Sequence, residues 1–262
     1  MKVWLEDCYA AYNLRRFVSP DPLECLYAYD RLCDREIAGL VAASLAYGQV
    51  RQIVRSVRSV LGRMGESPHG YVTGSSAGAI AKDMAGFSHR FATGSHVAAL
   101  LVGIRRVLDE YGSVYNCFCA GLREGDRNVY PALSRFSDAL RKRGEKNGPG
   151  HLVACPEKGS ACKRMNLYLR WMVRCDRVDP GGWEGVSASR LIIPLDVHMF
   201  RIGCALRLTR RRQANMKAAL EITEGFRRHA PEDPVRYDFA LSRFGIRKGL
   251  PDQAICLLPA VQ

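Results

Sequence analysis

Two side chains in this sequence have the type and surroundings for amine chemistry. Lys163 lies in Leu-Val-Ala-Cys-Pro-Glu-Lys-Gly-Ser-Ala-Cys-Lys-Arg-Met-Asn-Leu-Tyr-Leu-Arg-Trp-Met-Val-Arg, residues 152–174. Pro156 and Gly159 mark a tight turn, and Met165, Leu169, Met172 and Val173 then recur at helical spacing. Ser160 reads as the N-cap of that helix, which puts Lys163 in its first turn. A helix N-terminus disfavours a cation, and adjacent Arg164 adds like-charge repulsion, so an amine placed there gives up its proton more readily. A lysine of this kind is a candidate nucleophile. The same segment has a simpler reading, because a turn followed by a helix N-terminus presents backbone N–H groups to phosphate. Gly159, Ser160 and Arg164 would then contact a nucleic-acid backbone.

Asp196 is the second such side chain. It sits in Ile-Ile-Pro-Leu-Asp-Val-His-Met-Phe-Arg-Ile-Gly-Cys-Ala-Leu, residues 192–206, just before apolar positions at Val197, Phe200 and Cys204. That context predicts a helix N-cap, a common structural use of aspartate. His198 reads as a packed helix residue. Arg210, Arg211 and Arg212 follow as the densest basic run, read either as a solvated face or as a phosphate-neutralising one.

The elements that must position these residues are helical. Between Glu36 and Met64, Ile53, Val57, Val60, Leu61 and Met64 share one face, and Arg51, Arg55 and Arg58 occupy the other. Val97, Leu100, Leu101, Ile104, Val107, Leu108 and Tyr111 repeat the pattern before a stop at Gly112. Asp233 and Pro234 predict the start of a last helix carrying Val235, Phe239 and Leu241, with Gly245 as its end. The stretches 66–95 and 141–150 show little periodicity. Strand-like alternation is scarce, and no repeat or low-complexity run interrupts the chain, so the expected class is all-α.

Composition limits the function. Of 262 residues, 39 are Lys or Arg and 26 are Asp or Glu, a net charge of +13 that points to nucleic acid or an acidic surface. With 47% hydrophobic and 25% charged residues, a disordered or fibrous chain is excluded. No apolar stretch approaches the roughly 18 residues that a membrane span needs. The ten cysteines form no regular framework and the N-terminus has no long apolar region, which predicts a reduced, cytoplasmic protein. The six histidines lack His-x-x-x-His spacing, and Cys117 and Cys119 stand too close together to argue for zinc, so no metal is expected.

The motif Pro-Leu-Asp-Val-His-Met-Phe-Arg-Ile around Asp196 resembles that of the helix-hairpin-helix base-excision DNA glycosylases, especially the 8-oxoguanine type. In bifunctional members a lysine on the second helix of the hairpin precedes the aspartate, which corresponds to Lys163 and Asp196 in the same order. The turn departs from the usual Leu-Pro-Gly-Val-Gly: here it reads Pro-Glu-Lys-Gly-Ser-Ala-Cys-Lys, and Asp196 lies 33 positions beyond Lys163. Only Cys204 and Cys256 follow Asp196, too few for an iron–sulfur cluster. The combination of SPDPLECLYAYD, DREIAGLVAASLAYGQVRQI, ACKRMNLYLRWMVRCDRVDPGGW, LIIPLDVHMFRIG and PEDPVRYDFALSRFGI also resembles, across nearly the whole chain, a bacterial family known mainly as uncharacterised, the DUF2400 group.

These resemblances imply a bilobed helical fold, with a central lobe over residues 36–189 and a terminal lobe from residues 1–35 and 190–262. The implied activity is removal of an oxidised purine, 8-oxoguanine first, from double-stranded DNA by a monomer that needs no cofactor. Lys163 would attack the sugar and cleave the strand as an AP lyase, with Asp196 assisting, and Gln49 would fill the gap left by the flipped base. In that reading Tyr168, Trp171, Trp183 and Phe200 are candidates for stacking on the base, although core packing is their ordinary use. The alternative is a non-catalytic DNA-binding or lesion-sensing protein.

Overall fold

The computed structural model describes residues 1–141 and 148–247. Twelve α-helices run through them: α1 (Lys2–Tyr12), α2 (Leu32–Ser44), α3 (Val50–Met64), α4 (Pro68–Gly74), α5 (Ala77–Asp83), α6 (Gly94–Tyr111), α7 (Val114–Ala120), α8 (Tyr130–Arg141), α9 (Lys163–Val173), α10 (Val197–Ala205), α11 (Met216–Arg227) and α12 (Tyr237–Arg247). A hairpin of two-residue strands, β1 (Ser88–His89) and β2 (Ala92–Thr93), joins them. The class is therefore all-α. No helix among the described residues is long and apolar enough to cross a membrane.

The chain forms two compact units. The central unit comprises residues 19–126 and 130–155, and the terminal unit residues 1–18, 127–129 and the chain from Pro156 onward. This differs from the expected lobes at three places, one of them the short segment 127–129, which belongs to the terminal unit. Residues 19–35 belong to the central unit because the 3₁₀ helix Pro22–Ala28 packs on α2 and α3. Residues 156–189 belong to the terminal unit because Arg170 of α9 pairs with Asp238 and Arg174, just past the helix end, pairs with Asp233.

In the central unit α2 is buried along nearly its whole length. Its two buried carboxylates are used as caps for neighbouring helices. Asp34 accepts from Ser67 Oγ at 2.7 Å and from His69 N at 2.8 Å at the head of α4, and Glu36 accepts from Tyr115 N at 3.0 Å at the head of α7. Helix N-termini leave unsatisfied N–H groups, and a carboxylate there satisfies them and favours the dipole. The amphipathic pattern of α3 holds: Ile53, Val57, Val60, Leu61 and Met64 are buried, and Arg51, Arg55 and Arg58 are exposed. The stretch 66–95, which has little periodicity, folds as α4, α5 and the hairpin. Elements this short give no periodic signal, though Ser67 and Ser76 cap α4 and α5 through their side chains.

Helices α6 and α8 pack closely at Gly103, where a Cβ would run into the carbonyl of Leu140. Gly103→Ala is expected to destabilise the protein by about 1–3 kcal/mol through this overlap. Gly62→Ala, on the open face of α3 with nothing within 4 Å, should be neutral or stabilising by up to about 1 kcal/mol. Urea unfolding of the pair separates a packing requirement from helix propensity.

The terminal unit packs α1 on α12, with Tyr237 donating to Glu6 at 2.6 Å. Asp176, just beyond α9, accepts from Tyr9 and Asn13 of the α1 segment at 2.9 Å each. The last helix departs from its sequence expectation at both ends. It starts at Tyr237 because the Asp233 carboxylate is taken by Arg174 Nε at 2.9 Å rather than by a helix N-terminus, and it continues through Gly245 to Arg247. Cys256 and residues 142–147 lie outside the described residues.

Candidate functional site

The segment before α9 is built from two short 3₁₀ turns, Gly150–Leu152 and Pro156–Lys158, followed by Gly159 at φ 77°. Nothing lies within 4 Å of a Cβ at Gly159, so its backbone angle is what calls for glycine. The turn is tied to the head of α11 by a bridge between Ser160 and Asn215 and by Met216 N donating to Gly159 O at 3.3 Å. Ser160 is not the N-cap. Cys162 occupies that position in the left-handed region at φ 48°, and the Ser160 hydroxyl instead accepts from Cys162 N at 3.2 Å. Lys163 is accordingly the first residue of α9.

Asp196 does cap its helix. Its Oδ1 accepts from Met199 N at 2.8 Å at the head of α10. Its other oxygen, Oδ2, stands 3.2 Å from Lys163 Nζ. One carboxylate therefore orders a helix and meets the candidate nucleophile. The two side chains retain 37% and 32% exposure, so the pair lies open to solvent and contributes little to stability. The buried side of α10 carries Met199 and Gly203, whereas Val197 is exposed and Phe200 and Cys204 are half-buried. Gly203 leaves the room that Ile222 of α11 fills, which turns the helix away from the face expected from its apolar residues.

The double use of Asp196 separates two variants. Asp196→Ala removes the cap and should cost about 1 kcal/mol, while Asp196→Asn keeps a capping oxygen and should lie within a few tenths of wild type. Thermal melting of the two proteins checks this.

The remaining expected site residues divide between the units. Gly159 and Ser160 are exposed and Arg164 is half-buried, all beside Lys163. Arg210, Arg211 and Arg212 are exposed, with Arg211 held by Glu221 at 2.8 Å. Gln49 is an exposed residue of the central unit, where it precedes α3 as its N-cap after the bend at Gly48 (φ 101°). Tyr168, Trp171 and Trp183 are fully buried, Tyr168 edge-on to Trp183 at 5.3 Å, and belong to the core. A cavity of about 370 Å³ opens elsewhere in the terminal unit, lined in part by Arg127, Asn128, Thr223 and Arg227, and holds none of these residues. No group of His, Cys, Asp or Glu among the described residues is arranged to hold a metal ion.

A network behind the pair escaped the sequence reading. Arg170, two turns along α9 from Lys163, is buried and donates to Asp238 Oδ2 at 2.5 Å and to Asp179 Oδ1 at 3.1 and 3.2 Å. Arg174, one turn further, bonds Asp179, Asp176 and Asp233. Burial pushes the Asp238 carboxyl up to about 6, against the pull of Arg170, and the charges of Asp196 (upward) and Lys163 (downward) also reach it. The signal for Asp238 was present in Arg236-Tyr237-Asp238-Phe239-Ala240, an acid between buried apolar residues.

The model of one protein family, described as a protein of unknown function (DUF2400), matches residues 21–247. Neither a curated protein nor a solved structure matches the chain.

Proposed function

The chain belongs to the DUF2400 family, whose description assigns no activity, and from the site itself we propose that it is a base-excision DNA glycosylase with AP lyase activity. Its substrate is double-stranded DNA carrying an oxidised purine, with 8-oxoguanine the first candidate. The observation that carries this reading is the approach of Lys163 Nζ to Asp196 Oδ2 at 3.2 Å, from segments 33 positions apart in sequence. The resemblance to helix-hairpin-helix glycosylases names the same two residues for this role. The net charge of +13 and the exposed Arg210 and Arg212 suit a phosphate backbone.

Cleaving an N-glycosidic bond develops positive charge on the sugar, and the electron pair of the bond leaves with the base. A carboxylate stabilises that charge. Lys163 must first lose a proton, and Asp196 Oδ2 is within reach to accept it. The free amine then bonds to C1′, the sugar ring opens, and the resulting imine allows elimination of the 3′ phosphate. The proton held on Asp196 is available to the departing base. The target must be flipped out of the duplex first.

Borohydride reduces such an imine to a stable covalent adduct. The purified protein should therefore be trapped on duplexes containing 8-oxoguanine or an abasic site, and not on an undamaged duplex. Trapping on the abasic duplex alone would leave a lyase without this base as its target. Salt-sensitive binding with no adduct on any duplex would replace the enzyme by a DNA-binding or lesion-sensing protein.

A further inference from the structure

The head of α9 is held in a conformation that its own residue does not favour. Cys162, the N-cap before Lys163, stands at φ 48° and ψ 38°, in the left-handed region, where a residue with a Cβ is disfavoured by roughly 10-fold in population. An N-cap ordinarily has extended backbone and uses its side chain to cap; Cys162 does neither. Outliers of this kind persist where their surroundings over-determine them, and they gather at functional sites. We propose that Asn166 is a positioning residue of the Lys163–Asp196 site: its side chain holds Cys162 in the left-handed region and thereby fixes the direction from which Lys163 reaches Asp196. The proposal rests on the base-excision reading for what the amine does; the clamp on Cys162 is independent of it.

The clamp acts on one peptide unit. The φ angle of Cys162 is the orientation of the Ala161–Cys162 peptide plane relative to the helix, and that plane is gripped at both ends. Ala161 O accepts from Asn166 Nδ2 at 3.1 Å, and Cys162 N donates to Ser160 Oγ at 3.2 Å. The Cys162 thiol also donates to Ser160 O at 3.4 Å. Of these bonds only the one from Asn166 ties the plane to α9. The first intrahelical bond, from Asn166 N at 3.0 Å, takes Cys162 O, so Ala161 O lies outside the helical ladder. A side chain must supply its donor, and Asn166, three residues beyond Lys163 on the same face of α9, supplies it.

Stability alone gives this position no reason to be asparagine. Asn166 is 1% exposed, and its Oδ1 is buried without a hydrogen-bond partner among the described residues. A buried amide that satisfies its donor and leaves its acceptor unmet contributes little net stability, and an apolar side chain would avoid the loss. What the amide does supply is direction. A Cβ at the first residue of a helix leans back over the turn before it, so the path of the Lys163 side chain follows the orientation of that turn. The pair that this side chain completes is open to solvent and is not held in place by burial. Its 3.2 Å approach to Asp196 Oδ2 therefore depends on how Lys163 leaves the helix.

Crystal structures and borohydride trapping on an abasic duplex, both with the full chain, test the clamp. In Asn166→Ala, Cys162 is expected to leave the left-handed region. Trapping at saturating duplex should then fall about 10-fold, while the duplex concentration for half-saturation stays within about twofold of wild type. Adding Cys162→Gly should restore the left-handed backbone without the clamp, because glycine adopts it at no steric cost, and recover most of the lost rate. A role confined to stability gives no such recovery. Asn166→Asp, equal in size but without the donor, repeats both readings should the alanine variant fold poorly. Cys162 still in the left-handed region in a folded Asn166 variant overturns the proposal, and so does a lost rate that Cys162→Gly fails to raise. A displaced Cys162 together with no trapping by the wild type on any duplex would uphold the clamp and remove the base-excision reading.

Discussion

Replacing Lys163 by glutamine is expected to abolish the borohydride adduct, a loss of at least about 10³-fold in trapping rate, while binding to the same duplex stays close to wild type. Only an amine forms the imine, and glutamine has none of comparable nucleophilicity. Binding persists because Lys163 is one cation among 39 Lys and Arg and already pairs with Asp196 at 3.2 Å. The salt slope of binding should fall by no more than about one phosphate contact. Asp196→Asn gives a different signature, because it keeps the cap on α10 and removes the proton acceptor: trapping should continue about 10²–10⁴-fold more slowly. An adduct that survives in Lys163→Gln would assign the chemistry to another amine. Equal loss in both variants, accompanied by equal loss of thermal stability, would mean that the pair serves folding.

The parts of this fold legible in the sequence are those whose signal is local and periodic. The two faces of α3 and the stop of α6 at Gly112 follow from spacing and from one glycine at φ 78°. Asp196 was readable as a cap because capping uses a residue and the three that follow it. Ser160 and Asp233 carry the same chemistry and were misread, since Cys162 turns into the left-handed region after Ser160 and Arg174 claims Asp233 from 59 positions away. The candidate site divides in the same way. Lys163 and Asp196 were visible as residue types in a resembling order, whereas their 3.2 Å approach depends on the packing between them. Asp238 and Arg170 are 68 positions apart, and no spacing rule connects a buried acid on one helix with a buried base on another.

That buried network sets the largest expected effect on stability. Asp179 is fully buried, and its two oxygens receive nitrogens from both Arg170 and Arg174. Asp179→Ala would leave buried nitrogens of Arg170 and Arg174 without their acceptor, although each arginine keeps another carboxylate, and is expected to destabilise the terminal unit by about 2–4 kcal/mol. Against a typical folding free energy of about 5–15 kcal/mol, that is enough to populate unfolded forms at moderate temperature. The exposed Arg211–Glu221 pair supplies the contrast. Its side chains are each 40% exposed at a separation of 2.8 Å, and Arg211→Ala should change stability by about 0.5 kcal/mol or less. Ion pairs thus differ severalfold in worth because only one leaves charged donors unsatisfied away from water. Urea unfolding of the two variants measures the difference, and equal small effects would mean that water reaches Arg170 and Arg174. Since Lys163 begins the helix that carries Arg170 and ends at Arg174, Asp179→Ala should also weaken borohydride trapping at temperatures where the terminal unit loosens, and regain it on cooling.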